Sequence, residues 1–298
     1  MVALLSRATL SPLPVGIMIV NRFPLNFFIP SMLDTYLAAK KFLIRELSSP
    51  DASQIIESYL RLPDRSGNPV SISTLFCRLL SSAQNANMKA GVVGGSIGGI
   101  DNLGRALFDF DPAKVEVAFV NDPDHLLAHI IKTLKPRGQI RTTPLSIWPK
   151  YCKTILSAAA FFNQFEDGND FYVWANHLYG DQRSMAALPM ILAAEIYGLG
   201  YALACDFLKE LGFVNYGKPD VHVIEIFEGI GLCPQGASPY QVQKVITQLA
   251  EAASVSAYDV DKLFWLIGSG KFYNHPHLGN AGQTSRKKAQ FIKEFNQV

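Results

Sequence analysis

The 298-residue chain is 49% hydrophobic and 17% charged, which supplies a substantial core for one large domain or two lobes. A net charge of +2 is only weakly basic and announces no nucleic-acid partner by itself. Residues 15–20 and 25–29 are apolar but too short to cross a membrane. The start lacks the charged and long apolar regions of a signal peptide, so a cytoplasmic protein is expected.

Residues 1–30 hold Pro12, Pro14, Pro24 and Pro30, which argues for short extended segments or an irregular arm. Helical periodicity follows over 31–47 and 51–60, and residues 63–69 read as a loop from their Pro, Gly and Asn content. Ser71 or Ser73 is placed to cap the next helix, which carries Leu75-Phe76, Leu79-Leu80 and Ala83 and ends in Ser81-Ser82-Ala83-Gln84-Asn85. Residues 92–99 read as a glycine-rich loop. Helices are expected over 101–108, 122–134, 148–165 and 170–178. After a hairpin pair, further helices are expected over 239–253, 257–267 (capped by Ser256) and 285–295.

The hairpin is the most informative stretch. An apolar helical segment, 186–196, runs into Tyr197-Gly198-Leu199-Gly200, and a second helix leaves near Tyr201. Glycines admit positive φ and let another backbone approach closely, while the new helix presents unpaired N–H groups and its positive dipole end. A phosphate could sit there without any basic side chain, and none occurs over 186–207. Twenty residues after Gly200, Asp220 stands in Lys218-Pro219-Asp220-Val221-His222-Val223, where it can cap a helix beginning near Val221.

The hairpin, the glycine turn and the later Pro-Asp together resemble the signature of the helix-hairpin-helix DNA glycosylase superfamily. Leu80-Ser81-Ser82-Ala83-Gln84 is similar to an early element of the same superfamily, whose terminal polar residue wedges into the DNA stack. The resemblance spans about 71–223. It implies an all-α, two-lobed fold, with room for a few short strands near the N-terminus. One lobe would run over 71–212; the other would join residues 1–70 to 213–298. It implies DNA contacts by Gln84, Asn85, Tyr197, Gly198, Gly200 and Tyr201, and base removal assisted by Asp220. A carboxylate there would stabilise the oxocarbenium-like sugar and orient a water. Trp148, Tyr151, Tyr172, Trp174 and Tyr201 are aromatics that could stack on an extruded base.

Members that also cut the strand carry a lysine four residues after the first hairpin glycine; here that position is Ala202, and the nearest lysine downstream is Lys209. A monofunctional enzyme is therefore implied. It would act as a monomer, in a bacterial, nucleoid-associated setting, on double-stranded DNA holding a modified base. That base is an alkylated or oxidised purine, or a bulky phage base such as glucosylated hydroxymethylcytosine, which would make this a defence enzyme. Cys77, Cys152, Cys205 and Cys233 lack cluster spacing, so neither an iron–sulfur centre nor any other cofactor is expected; His275 and His277 read as loop residues rather than metal ligands.

Two alternatives stand beside this reading. One is a helix-hairpin-helix module that binds DNA without catalysis. The other is a flavin-dependent oxidoreductase, since Val92-Val93-Gly94-Gly95-Ser96-Ile97-Gly98-Gly99 looks like a dinucleotide-binding turn and 115–120 like its second strand. Ser96 replaces the second glycine of that turn, which counts against it.

Overall fold

The computed structural model describes residues 31–47, 49–62, 70–85, 91–275, 278 and 284–297. The expectations for residues 1–30, for the loop at 63–69 and for His277 lie outside the described residues.

Fourteen α-helices occur among the described residues, and no strand does. They are α1 (Met32–Leu47), α2 (Ala52–Leu60), α3 (Ile72–Ala83), α4 (Val92–Ile97), α5 (Pro112–Phe119), α6 (Pro123–Leu134) and α7 (Ile147–Phe162). The chain continues with α8 (Gly168–Tyr179), α9 (Ala187–Glu195), α10 (Tyr201–Glu210), α11 (Val221–Gly229), α12 (Pro239–Ala253), α13 (Ala257–Ser269) and α14 (Thr284–Phe295). The starts are set by local chemistry. Ser71, Asp111, Asp122, Asp167, Asp220, Ser238 and Ser256 each accept a hydrogen bond from an N–H of the first turn. Ser238 and Ser256 form reciprocal capping boxes with Gln241 and Asp259.

Three local expectations need correction. Residues 92–97 form the short helix α4 rather than a loop. The 115–120 run belongs to α5 and not to a strand, because Asp111 and Pro112 start a helix just before it. With both halves of the supposed βαβ unit helical, the flavoenzyme reading loses its scaffold. Residues Ile100–Arg105 form a 3₁₀ turn instead of the expected helix at 101–108. Phe108, Asp109 and Phe110 all take positive φ, which ends the helical run.

The helices bury their apolar faces in two cores. The first gathers Leu75, Phe76, Ile155, Phe162, Phe171 and Phe207 from α3, α7, α8 and α10. The second joins Phe42 and Tyr59 of α1 and α2 to Phe227, Phe264 and Phe291 of α11, α13 and α14. Phe227 meets Phe264 edge-on at 4.9 Å; truncating either would cost about 3–5 kcal/mol. Near the C-terminus Lys287 donates to the Glu46 carbonyl at 3.1 Å and Lys288 pairs with Glu225, which ties α14 to α1 and α11. No helix among the described residues is long and apolar enough to cross a membrane.

The two cores meet along a polar seam. Gln243 is buried, accepts from Gly217 N–H at 3.1 Å and donates to the Asn215 carbonyl at 3.0 Å. Tyr258 N–H donates to the Val214 carbonyl at 3.1 Å. The seam thus holds residues 214–217, which lead directly into Lys218, Pro219 and Asp220.

Candidate functional site

The hairpin between α9 and α10 is exposed and open. Gly198 has φ +76°, and a Cβ there would approach Thr154 Oγ1 to 3.2 Å, so glycine is required twice over. Gly200 does not use the positive φ open to it. Its φ is −75° and a Cβ would meet nothing within 4 Å. What Gly200 supplies is vacant space at the helix start. The N–H groups of Tyr201 and Ala202 make no hydrogen bond among the described residues, so they point their donors into that space. α7 braces the turn: Ser157 Oγ accepts from Tyr197 N–H at 2.9 Å, and Lys153 Nζ lies 5.5 Å from the Tyr197 ring. Tyr197 is itself 45% exposed. Tyr201 is partly buried, its ring edge-on to Tyr240 at 6.2 Å.

Asp220 caps α11. Its Oδ1 accepts from His222 N–H at 2.9 Å and Val223 N–H at 3.2 Å. Oδ2 has no hydrogen-bond partner among the described residues, so one oxygen is structural and the other is free for chemistry. Burial raises the pKa of this carboxyl, and the charge of Asp261 raises it further; the Val223 N–H, His222 and Lys218 oppose both. Gly268 is what lets α13 lie against this loop, since a Cβ there would come within 2.5 Å of His222 Cβ.

Beside Asp220, α10 and α13 are joined by a buried charge network. Lys209 Nζ lies 2.5 Å from Asp261 Oδ2 and 3.5 Å from Asp206 Oδ1, and Lys218 Nζ reaches Asp206 at 3.5 Å. Burial opposes the charge on Lys209, but Asp261 and Asp206 outweigh it and hold the ammonium above its ordinary pKa. Asp206 likewise stays below the usual carboxylate range despite burial, because Lys209 and Lys218 face it. The network lines a cavity of about 300 Å³ together with Glu210, Lys262, Trp265 and Tyr273. Lys262 stands over the rings of Tyr258, Trp265 and Tyr273 at 5.5, 5.2 and 5.3 Å.

The aromatic candidates fall elsewhere. Tyr151 is a core residue whose hydroxyl donates to the Leu80 carbonyl at 2.8 Å, and Trp148 is buried beside it. Tyr172 stacks on Phe213 at 5.7 Å, and Trp174 packs against Phe161, Phe165 and Phe171. None of these four lines the cavity of the Lys209 network; Trp265 and Tyr273 do. Periodicity placed both on helical or loop segments without any sign that α13 faces α10. At the end of α3, Gln84 Oε1 accepts from Gly94 N–H at 3.1 Å and Asn85 Oδ1 from Gly91 N–H at 3.2 Å. Both side chains therefore tie α3 to α4. Cys77, Cys152, Cys205 and Cys233 are all free thiols.

No family model matches the chain. Among curated proteins, an 8-oxoguanine DNA glycosylase/AP lyase of Korarchaeum cryptofilum (strain OPF8) is 23% identical over 86 residues, 27% of this chain and 41% of that protein. The chain thus matches about two fifths of the length of this relative. Among solved structures, the 8-oxoguanine DNA glycosylase of Methanocaldococcus jannaschii aligns with a TM-score of 0.51 at 16% identity, over 81% of this chain and 99% of that one. The corresponding enzyme of Thermotoga maritima aligns with a TM-score of 0.45 at 22% identity, over 81% and 99%. Over that 81% the chain has the all-α fold of the Methanocaldococcus jannaschii 8-oxoguanine DNA glycosylase.

Proposed function

We propose that the protein is a monofunctional DNA glycosylase that turns a modified base out of duplex DNA and hydrolyses its N-glycosidic bond. The observation that carries this reading is the divided role of Asp220: Oδ1 locks the N-terminus of α11 while Oδ2 stays free at the seam between the cores. Exposed N–H groups at Gly200–Ala202 hold a phosphate of the lesion strand. As the bond to the base breaks, positive charge develops on the sugar, and the Asp220 carboxylate stabilises it and orients the attacking water. All these groups come from one chain, which suits a monomer.

Strand cutting needs an amine to attack the sugar, and the chain places none where strand-cutting members carry theirs; Lys262, its pKa lowered by burial, is the amine in the same cavity that the adduct test must also exclude. Ala202 occupies the lysine position of strand-cutting members. Lys209 is held protonated between Asp261 and Asp206, and an ammonium is not a nucleophile. The curated relative bears an AP lyase name; the reading for this chain departs from it on Ala202 and Lys209.

We assign the base to the cavity of the Lys209 network, which Lys218 borders two residues before Asp220, and infer a bulky, hydroxyl-rich base rather than a flat oxidised or alkylated purine. Asp206, Glu210 and Lys218 offer hydrogen bonds around its wall, and Trp265 and Tyr273 add ring surface. A glucosylated hydroxymethylcytosine has that chemistry, and a role against phage DNA follows from it. The test is a panel of duplexes carrying different modified bases, with abasic sites as the readout and borohydride present in a parallel series. Abasic sites without a covalent adduct are expected, and Asp220→Asn should lower release by about 10³-fold while binding persists. A lysine-dependent adduct would end the monofunctional reading. Binding without release from any duplex would leave only a DNA-binding module.

A further inference from the structure

A second cavity, of about 540 Å³, opens between α4, the segment 135–146 and the start of α7. It is lined by Val92, Arg137, Arg141, Leu145, Ile147 and Trp148, among others. Two features set it apart. First, its mixed wall, which also holds Ser96, Gln139, Thr143 and Ser146, includes large apolar side chains open to solvent: Leu145 is 81% exposed, Val92 40% and Ile147 38%. Second, the chain that builds it has no carboxylate. Residues 65–100 and 125–165 contain no Asp or Glu, and the latter stretch holds six basic residues: Lys132, Lys135, Arg137, Arg141, Lys150 and Lys153. None of these six makes an ion pair among the described residues. Elsewhere among the described residues Lys40, Arg45, Arg78, Lys114, Lys209 and Lys288 are paired while Lys41, Arg105, Lys244, Lys271 and Lys293 are not, so what distinguishes this region is six unpaired cations within one stretch that holds no carboxylate.

The cavity is also fixed in place relative to the proposed DNA contacts. Arg137 N–H donates to the Ser96 carbonyl at 2.7 Å, which ties the 135–146 segment to α4. Gln84 and Asn85 hold the other end of α4. From Ile147, α7 runs past Lys150 to Lys153 and Ser157, which touch Tyr197 of the hairpin. One continuous piece of structure therefore links the end of α3, the cavity and the hairpin.

We propose that this cavity is a second nucleotide site for duplex DNA. It would hold a nucleotide other than the one delivered to Asp220, with phosphates on Arg137 and Arg141 and the flat face of a base or sugar against Val92, Leu145 and Ile147. The assignment rests on the glycosylase reading above. Paired guanidinium groups beside an apolar wall match both halves of a nucleotide. No carboxylate is part of the cavity lining, so no like charge there opposes a phosphate.

The test uses a short duplex holding one abasic-site analogue, with binding isotherms over a salt series. Arg137→Ala/Arg141→Ala should weaken binding and reduce the slope of log K against log salt by about 2, since each lost phosphate contact contributes about 0.9. Leu145→Asp, at a site too exposed to matter for folding, should also weaken binding by placing a carboxylate at the rim. A wild-type slope in the double variant, or wild-type affinity in Leu145→Asp, would overturn the second site while leaving the glycosylase reading intact. Failure of the wild-type protein to bind the duplex would overturn both.

Discussion

At the α10–α13 seam, Lys209, Asp206, Asp261 and Lys218 neutralise one another at 2.5–3.5 Å, whereas along residues 132–153 six cations face solvent or a ring without an ion pair among the described residues. The contrast follows from where each cluster sits. A charge taken out of water must find a partner of opposite sign, or folding fails. A charge left in water costs little, and it becomes useful only when a polyanion arrives and releases its counterions. The seam should therefore be sensitive to mutation in stability and indifferent to salt. The exposed cluster should be the reverse.

The largest way to break that comparison is to orphan Lys209. Asp261→Leu leaves the ammonium buried with only Asp206 at 3.5 Å. The expected loss is about 3–5 kcal/mol in urea unfolding, and Lys209→Met in the same chain should restore most of it. Arg137→Ala/Arg141→Ala should unfold within about 0.5 kcal/mol of wild type. Equal losses in the two sets would show that the seam and the exposed cluster do not differ as described.

The seam also reaches the chemistry through pH. Asp220 must be ionised to act, and burial followed by Asp261 raises its pKa above the ordinary carboxylate range. Base release should fall as pH drops through that raised pKa. Asp261→Asn removes a like charge and should move the acid limb to lower pH. Lys209→Gln uncovers Asp261 and should move it to higher pH. Stability follows a separate course. Asp206, depressed in the fold, contributes stability present above 3.8 and lost as pH falls through its lower folded value. Lys209, raised in the fold, contributes stability that is full below 10.5 and lost only above it. A shift of the rate profile between pH 5 and 9 in these variants is then a report on Asp220 and not on either partner. No shift in either variant would detach the network from Asp220.

A smaller effect separates the neutral part of the DNA site from the charged part. Gly200→Val is compatible with the backbone, because φ is −75° and a Cβ meets nothing within 4 Å. It fills the space in front of Tyr201 and Ala202, so duplex binding should weaken by about 1 kcal/mol, roughly fivefold. The N–H groups carry no net charge, so the salt slope should stay at its wild-type value, unlike that of the arginine variant. Unchanged affinity would make the hairpin a structural turn only.

What the sequence disclosed divides along the same line as local and distant physics. Helix starts were legible where one residue caps the next turn: Ser71, Ser256 and Asp220 all do so. The motif Gly198…Asp220 was legible because its parts lie within one stretch of chain. The Lys209–Asp261 pair was not, since the partners stand 52 residues apart and only the packing of α13 on α10 joins them. Gly198 and Gly200 look alike as letters but differ in φ by their place in the turn. Tyr151 turns into the core and Trp148, though buried, edges the second cavity, because residue type does not encode which helix face is buried. The Val92-to-Gly99 and 115–120 runs misled for the opposite reason: short apolar runs fit strands and helices equally, and Pro112 with Asp111 decided the second.

The smallest and most discriminating change is at Gln84, which belongs to neither charge cluster and holds α4, one wall of the second cavity. Its amide oxygen accepts from Gly94 N–H at 3.1 Å, and a Cβ on Gly94 would come within 2.8 Å of that same oxygen. Gln84 thus braces α4 in the free protein. We predict that it also fills the gap left when the nucleotide leaves the stack, a task required only in a duplex. Gln84→Ala should lower excision from duplex a few-fold more than from single strand, but loss of the brace alone could lower both. Gln84→Glu resolves the two roles. It keeps an acceptor for Gly94 N–H, with the bond strengthened by charge, yet brings a carboxylate into the space between base pairs and phosphates. If Gln84 enters the duplex, the Glu variant should fail on duplex and work on single strand. If it only braces α4, the Glu variant should match wild type on both substrates, and the wedge would have to be sought elsewhere on the α3–α4 edge.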